Sequence, residues 1–317
     1  MNKLRAYHTG LWVIRDRNFP KGSFSGKGWS ITFAKDKSTY ATIREGSEVI
    51  IRARSWKTAQ QATNLILTAI ILLTGDSMSD LTHRRPFAFA EDDKTIQEMP
   101  PEMVEFARGY SLCTPDIAVA CKVAIDASKN RHYSYALTKF YLSCSIYSTP
   151  IIDLDPSHSG NLRLSPFYED HVRFATSILL AYSAIEELNL HLKASPDNPS
   201  RLANGEWNPI VRTELENRLK KGGIDLSKAF LWTIRGSSRR IEKKRPARPL
   251  SKPKWTHGTV RDVNVNILDA ISDASWLRSK VSAHGFNKLA PSLSPYDVAN
   301  VQHLAGRLIL ETLGYWE

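Results

Sequence analysis

Two residues near the end of the chain, Arg278 and His284, have the types best suited to chemistry on a phosphate. An arginine's planar fork matches two phosphate oxygens, and a histidine titrates near neutrality, so it can give or take a proton. Five residues separate them, inside the stretch RDVNVNILDAISDASWLRSKVSAHGF (261–286). There Val263, Ile267, Ile271, Ala274, Leu277 and Val281 recur in three- and four-residue steps. Such spacing predicts one long amphipathic helix, and Gly285 is a natural stop for it. On an ideal α-helix the six-residue interval leaves the two side chains about 120° apart. They would converge only through fraying at the helix end or through a second subunit. The same pair also fits a plainer reading. Arg278 is then a surface or ion-paired residue, and His284 a cap at the helix C-terminus, where a cation suits the dipole.

Glu186 is the third residue of interest. It lies on a predicted helix over 168–192 whose apolar residues cover two faces: Val172, Ala175, Leu179 and Tyr182 on one, Phe174, Ile178, Ala181, Ile185 and Leu188 on the other. Glu186 continues the first stripe, and an inward carboxylate needs a partner; Arg278 is the natural one. Otherwise Glu186 and Glu187 simply end the helix in water. A fourth feature is a basic segment at 239–254, with eight basic residues, one acid and three prolines. Its Arg239, Arg240, Lys243, Lys244, Arg245 and Arg248 suit sequence-independent contact with RNA phosphates. The alternative is a solvated, Pro-rich connection.

In its Arg278/His284 pair, set at the end of an amphipathic helix, followed by Gly285 and lying within a run of helices, the chain resembles the HEPN superfamily. The ribonuclease members of that superfamily carry an Arg, four to six residues, then a His. The resemblance covers about 167–317. Many active members have Asn, Asp or His directly after the Arg, whereas this chain has Ser279. The resemblance implies a metal-independent endoribonuclease, a hydrolase needing neither metal nor cofactor, with Arg278 and His284 catalytic and Ser279 and Glu186 supporting. It also implies a homodimer with the motifs facing across the interface, and a setting in toxin, defence or RNA-processing biology. The departure at Ser279 sustains a second reading, a catalytically inactive HEPN-like module for RNA binding or protein assembly. A DNA-binding regulator is a weaker third, since no helix-turn-helix spacing stands out.

Other chemistry is thinly represented. The three cysteines, Cys113, Cys121 and Cys144, form no CxxC pattern, which argues against a zinc site or a disulfide framework and fits a reducing cytoplasm. Asp153, Asp155 and His158 make a poor metal set without a further ligand nearby. The segment GSFSGKG (22–28) lacks the full phosphate-loop pattern and precedes a strand rather than a helix, so it reads as a turn. The N-terminus MNKLRAYHTGLW has no apolar signal segment, and the most apolar run, 65–73, is far short of the roughly 20 residues a membrane helix needs.

The 317 residues carry a net charge of +11 and a pI near 9.5, a balance that favours an anionic partner such as RNA. That charge is local in the C-terminal half. Residues 150–317 hold 23 basic and 18 acidic residues; without the basic segment they would be net −2. The length suits two domains. Residues 1–150 read as an α+β domain of unassigned role. Short strands are expected at 10–14, 29–33 and 49–53, a covering helix at 56–74, and two more helices at about 116–129 and 132–148. The aromatic residues of the last suit packing better than base stacking. A Pro/Ser/Gly-rich linker at 149–164 leads to a mainly α-helical, HEPN-like bundle of four main helices over 166–317, with the basic segment inserted before the signature helix. Its final helix is expected from Ser294 to Leu313, with Asn300, His303 and Arg307 on one side, facing water.

Overall fold

The computed structural model describes residues 4–14, 24–35, 46–74, 89–90, 110–112, 117–147, 168–235, 260–282 and 293–316. The chain divides into two compact units, Met1–Thr138 and Lys139–Glu317.

The first unit is built on alternation. Strands β1 (Arg5–Ile14), β2 (Phe24–Gly26), β3 (Trp29–Lys35) and β4 (Gly46–Ala53) form an antiparallel array in the order β2-β3-β4-β1. Two short strands, β5 (Phe89–Ala90) and β6 (Tyr110–Leu112), also pair with β1, the latter in parallel. In register, Trp29 faces Ala53, Ile31 faces Ile51 and Phe33 faces Val49. Trp29, Ile31, Val49, Ile51 and Ala53 are buried while Arg52 is exposed, as expected for a sheet with one dry face. The GSFSGKG segment enters strand β2 and turns at Lys27–Gly28 into β3. Gly28 has φ +84°, the left-handed conformation that a type II turn requires at its third residue. A Cβ on Gly26 would meet the Trp29 indole at 2.5 Å. Gly26 and Gly28 therefore serve the hairpin.

Helix α1 (Trp56–Thr74) is capped by Ser55, whose hydroxyl accepts from the Thr58 amide at 3.2 Å. It packs on β4, β1 and β3, and along α2 (Ile117–Lys129). Cys121 on α2 is buried and its thiol is pushed up to about 12 by that burial, which leaves it unreactive.

The second unit is mostly helical. The end of α3 (Arg131–Ile146), α4 (Tyr168–Glu187), α5 (Pro209–Lys221), α6 (Ile267–Trp276) and α7 (Pro295–Leu313) supply its core. α7 starts with a full capping box. The Ser294 side chain accepts from the Asp297 amide, and the Asp297 carboxylate accepts from the Ser294 amide. Gly314 closes it at φ +78°. Where α3, α4 and α7 meet, Ser143 and Ser177 bond each other, and Gln302 Nε2 donates toward both hydroxyls and the Tyr147 carbonyl. A buried polar clasp of this kind holds only because each member finds a partner.

The expected helix over 261–286 is corrected at its start. Residues 260–265 are a strand, β8 (Val260–Val265), paired antiparallel with β7 (Phe230–Arg235). Val263 and Val265 alternate with polar neighbours and face Trp232 and Phe230 across the ladder, and Trp232 and Val265 are buried. Their spacing fits a period of two as well as a helical step, and pairing with β7 decides between them. The basic segment therefore joins two paired strands, whose last register pair is Arg235 with Val260. Asn266 then caps α6.

The expected helix over 168–192 also ends earlier, at Glu187. Asn189 adopts φ +59°, Leu190 N donates to Ile185 O, and Asn189 N donates to Glu186 O. This left-handed stop with a buried Leu190 behind it is how many helices end. Val172, assigned to an apolar stripe, is exposed.

Candidate functional site

The helix that carries Arg278 is fixed at its start by one carboxylate. Asp269, in the first turn of α6, accepts from Arg201 Nη2 at 2.5 Å, from Trp207 Nε1 at 2.9 Å and from Asn266 Nδ2 at 2.6 Å. The Arg201 guanidinium also lies over the Trp207 ring, 4.4 Å from its centroid. An acid in this position suits the helix dipole. At the far end α6 widens into a π-helical turn, Leu277–Ser282, a feature that tends to occur at functional positions. The ideal rotation per residue does not hold there, so the 120° separation inferred for a regular helix does not carry over.

Arg278 stands on this π turn. Its Nη2 lies 3.4 Å from Glu186 Oε1 on the last turn of α4, with the two side chains 41% and 31% exposed. The contact is longer than the roughly 2.7–2.9 Å of a strong charge-assisted bond. A pair this open is worth about 0–1 kcal/mol. Its neighbour Glu187 pairs with Lys139 at 2.7 Å, so neither glutamate simply ends the helix in water. Ser279 donates its hydroxyl to the Ser275 carbonyl one turn back, at 2.7 Å. His284 lies outside the described residues, as do Arg239, Arg240, Lys243, Lys244, Arg245 and Arg248, and Asp153, Asp155 and His158. Among the described residues no group of three or more His, Cys, Asp or Glu is placed to hold a metal.

Beyond the Glu186–Arg278 pair stand Tyr182, which the sequence places on an apolar stripe, and Arg218 and His191, which it does not single out. Tyr182, one turn before Glu186, is buried. Its hydroxyl accepts from the Leu192 amide at 3.2 Å. Burial chiefly raises its pKa. Arg218 reaches across from α5 and donates through Nη1 to the Asn189 and His191 carbonyls at 2.9 and 2.7 Å. His191 follows the left-handed turn. Burial, with the positive charges of Arg218, Lys193 and Arg278, lowers its pKa against the opposing pull of Glu186. Its Nδ1, and Nε and Nη2 of Arg218, are buried without a hydrogen-bond partner among the described residues. Glu214 comes no closer to Arg218 Nε than 3.6 Å. A buried polar atom left without a partner costs about 1–3 kcal/mol. Asn189 followed by the apolar Leu190 was the available signal. Taken as a helix stop, it would have placed His191 beyond the turn and near the end of α4.

The side of α7 expected to face water does not. Asn300 and Arg307 are buried, and only His303 is exposed. Arg307 Nε donates to Glu311 Oε1 at 2.6 Å, and Arg307 Nη1 to the Ala229 carbonyl at 3.0 Å. Glu311 Oε2 accepts from the Asp225 amide at 3.1 Å. The two side chains are 4% and 5% exposed. This pair pins the segment leading into β7 against α7. The contribution is structural. Cys144 on α3 is similarly inert, its thiol pushed up to about 12 by burial.

No protein-family model, curated protein or solved structure matches this chain. Among the described residues no helix is long and apolar enough to cross a membrane.

Proposed function

We propose that the chain is a metal-independent endoribonuclease whose chemistry is carried by Arg278 and His284. In such a reaction the RNA 2′-oxygen attacks the adjacent phosphorus, the bond to the 5′-oxygen breaks, and a 2′,3′-cyclic phosphate and a 5′-hydroxyl result. His284 moves a proton to or from the reacting oxygens, and Arg278 stabilises the charge gathering on the phosphorane-like transition state. One observation carries the reading: the Arg278 guanidinium is part exposed on a π turn, and its only ion-pair partner among the described residues is Glu186 at 3.4 Å. An arginine so loosely held keeps most of its donors for a ligand. The basic residues between β7 and β8 supply affinity for the RNA backbone, and a homodimer brings two motifs together.

Purified protein incubated with total RNA in excess EDTA tests this. The reading expects cleavage with 2′,3′-cyclic phosphate ends; RNA left intact, or cut only when a divalent metal is added, rejects it. Sedimentation showing a monomer at tens of micromolar would reject the dimer separately. The second reading, a catalytically inactive HEPN-like binding module, has its own support. The Ser279 hydroxyl is engaged with the backbone of its own helix and is not presented to a substrate as an independent polar group. Binding of RNA without cleavage selects that reading.

A further inference from the structure

We propose that His191, Arg218 and Arg278 form a binding site for a tetrahedral phosphate oxyanion, with Glu186 as the internal group the anion displaces. The three residues come from three separate places, namely the segment after α4, helix α5 and the π turn after α6. Geometry ties two of them directly, since Arg218 Nη1 donates to the His191 carbonyl at 2.7 Å. Arg218, Arg278 and Glu186 all act on the His191 imidazole, and Lys193 adds a fourth charge. Tyr182 borders the same group, sensing both Glu186 and Arg278.

Unmet hydrogen bonding points to a ligand. Arg218 spends Nη1 on two backbone carbonyls, while its buried Nε and Nη2 and the buried His191 Nδ1 have no hydrogen-bond partner among the described residues. Such groups ask for an unseen water or ion. The charge balance favours an anion: Arg218, Arg278 and Lys193 against Glu186 and against Glu214, which lies 3.6 Å from Arg218 Nε. A planar carboxylate would be satisfied by one arginine fork. A ligand shared by polar groups of three elements would have to present oxygens in several directions, as a tetrahedral oxyanion does. Glu186 meets Arg278 through a single oxygen at 3.4 Å, a contact that a better acceptor would replace. That the bound group is an RNA phosphodiester, and not free phosphate, rests on the ribonuclease reading; the site itself does not.

The test is a titration of the full chain at fixed ionic strength, followed by NMR of the histidine imidazoles. The His191 signals are assigned by their loss in His191→Gln. Inorganic phosphate should shift them saturably and raise the His191 pKa, because an added negative charge favours the imidazolium. Chloride and acetate should do neither. Arg278→Gln should weaken phosphate binding about tenfold or more, the usual worth of a charged hydrogen bond. Glu186→Gln should tighten it, an effect that a purely structural glutamate would not produce. No saturable shift at His191, an equal response to acetate, or unchanged affinity in both variants overturns the site. An RNA dinucleotide identifies the source. Competition with phosphate at His191 makes it the phosphodiester, and its absence leaves free phosphate. If phosphate binds as described but RNA is never cleaved, the site stands and the ribonuclease reading fails. If RNA is cleaved while His191 does not respond, the reverse holds.

Discussion

Two arginine–glutamate pairs in the helical unit have the same chemistry and opposite surroundings. Arg307 and Glu311 are almost wholly buried, 2.6 Å apart, and each also bonds the backbone of the segment before β7. Arg278 and Glu186 are part exposed, 3.4 Å apart, and their charges reach His191, whose buried Nδ1 lacks a hydrogen-bond partner among the described residues. Arg307, buried with its Nε and Nη1 spent on Glu311 and the Ala229 carbonyl, holds the fold together. An arginine left with donors to spare in a cationic corner is placed to meet a ligand. Residue type alone did not separate them: Arg307 sits i,i+4 from Glu311, a spacing that ordinarily marks an exposed helix face.

The closed pair should be the costly one to break. Arg307→Ala leaves a buried carboxylate and should destabilise the chain by about 3–5 kcal/mol, read as a fall in the denaturant midpoint. Replacing both partners, as Arg307→Met with Glu311→Leu, should recover much of that loss. A double variant as unstable as the single one would show that the pair does more than satisfy itself. The open pair should tolerate loss: Arg278→Ala or Glu186→Gln should change stability by no more than about 1 kcal/mol. A larger drop would place Arg278 among the structural residues and remove the contrast.

The distinction extends to RNA affinity. Changing Arg239, Arg240, Lys243, Lys244 and Arg245 to Gln should weaken binding across sequences. It should also flatten the salt dependence by about 0.7 in the log–log slope per lost single-strand phosphate contact. An unchanged slope would make the segment a solvated connection. The smallest effect concerns pH. The folded pKa of His191 lies below its ordinary value near 6.5, so below that pH the unfolded chain binds the extra proton. Stability should be fully present above about 6.5 and decline as pH falls from there through the lowered folded value. His191→Gln should remove that part of the decline, as chemical melts at pH 7.5 and 5 would detect. An identical decline in the variant would mean that other groups account for it.

The local signals that proved reliable were those fixed by backbone chemistry. Ser294 starts α7 where the sequence expects that helix to begin, its hydroxyl and the Asp297 carboxylate forming a full capping box. The long apolar run of α1 and the alternation of β3 and β4 were equally legible. What failed depended on partners distant in sequence. Val263 fits a helical step and a strand step alike, and only β7 settles it. Arg307 is buried because packed neighbours cover a face that its own helix leaves polar. The partnership of Glu186 with Arg278 was one of two readings the helix spacing allowed, the other being a solvated helix end. His191 was not legible, because it follows a helix end whose Asn189–Leu190 stop had been read through.

The most direct test of the central claim, that Arg278 serves a reaction and not the fold, is the rate of RNA cleavage in EDTA by folded Arg278→Ala. That variant should melt close to the parent and cleave more slowly by about two to four orders of magnitude, with His284→Ala similarly impaired. Arg278→Lys should not restore it, because a point charge lacks the fork. A folded Arg278→Ala protein that cleaves RNA at the parent's rate would contradict the claim.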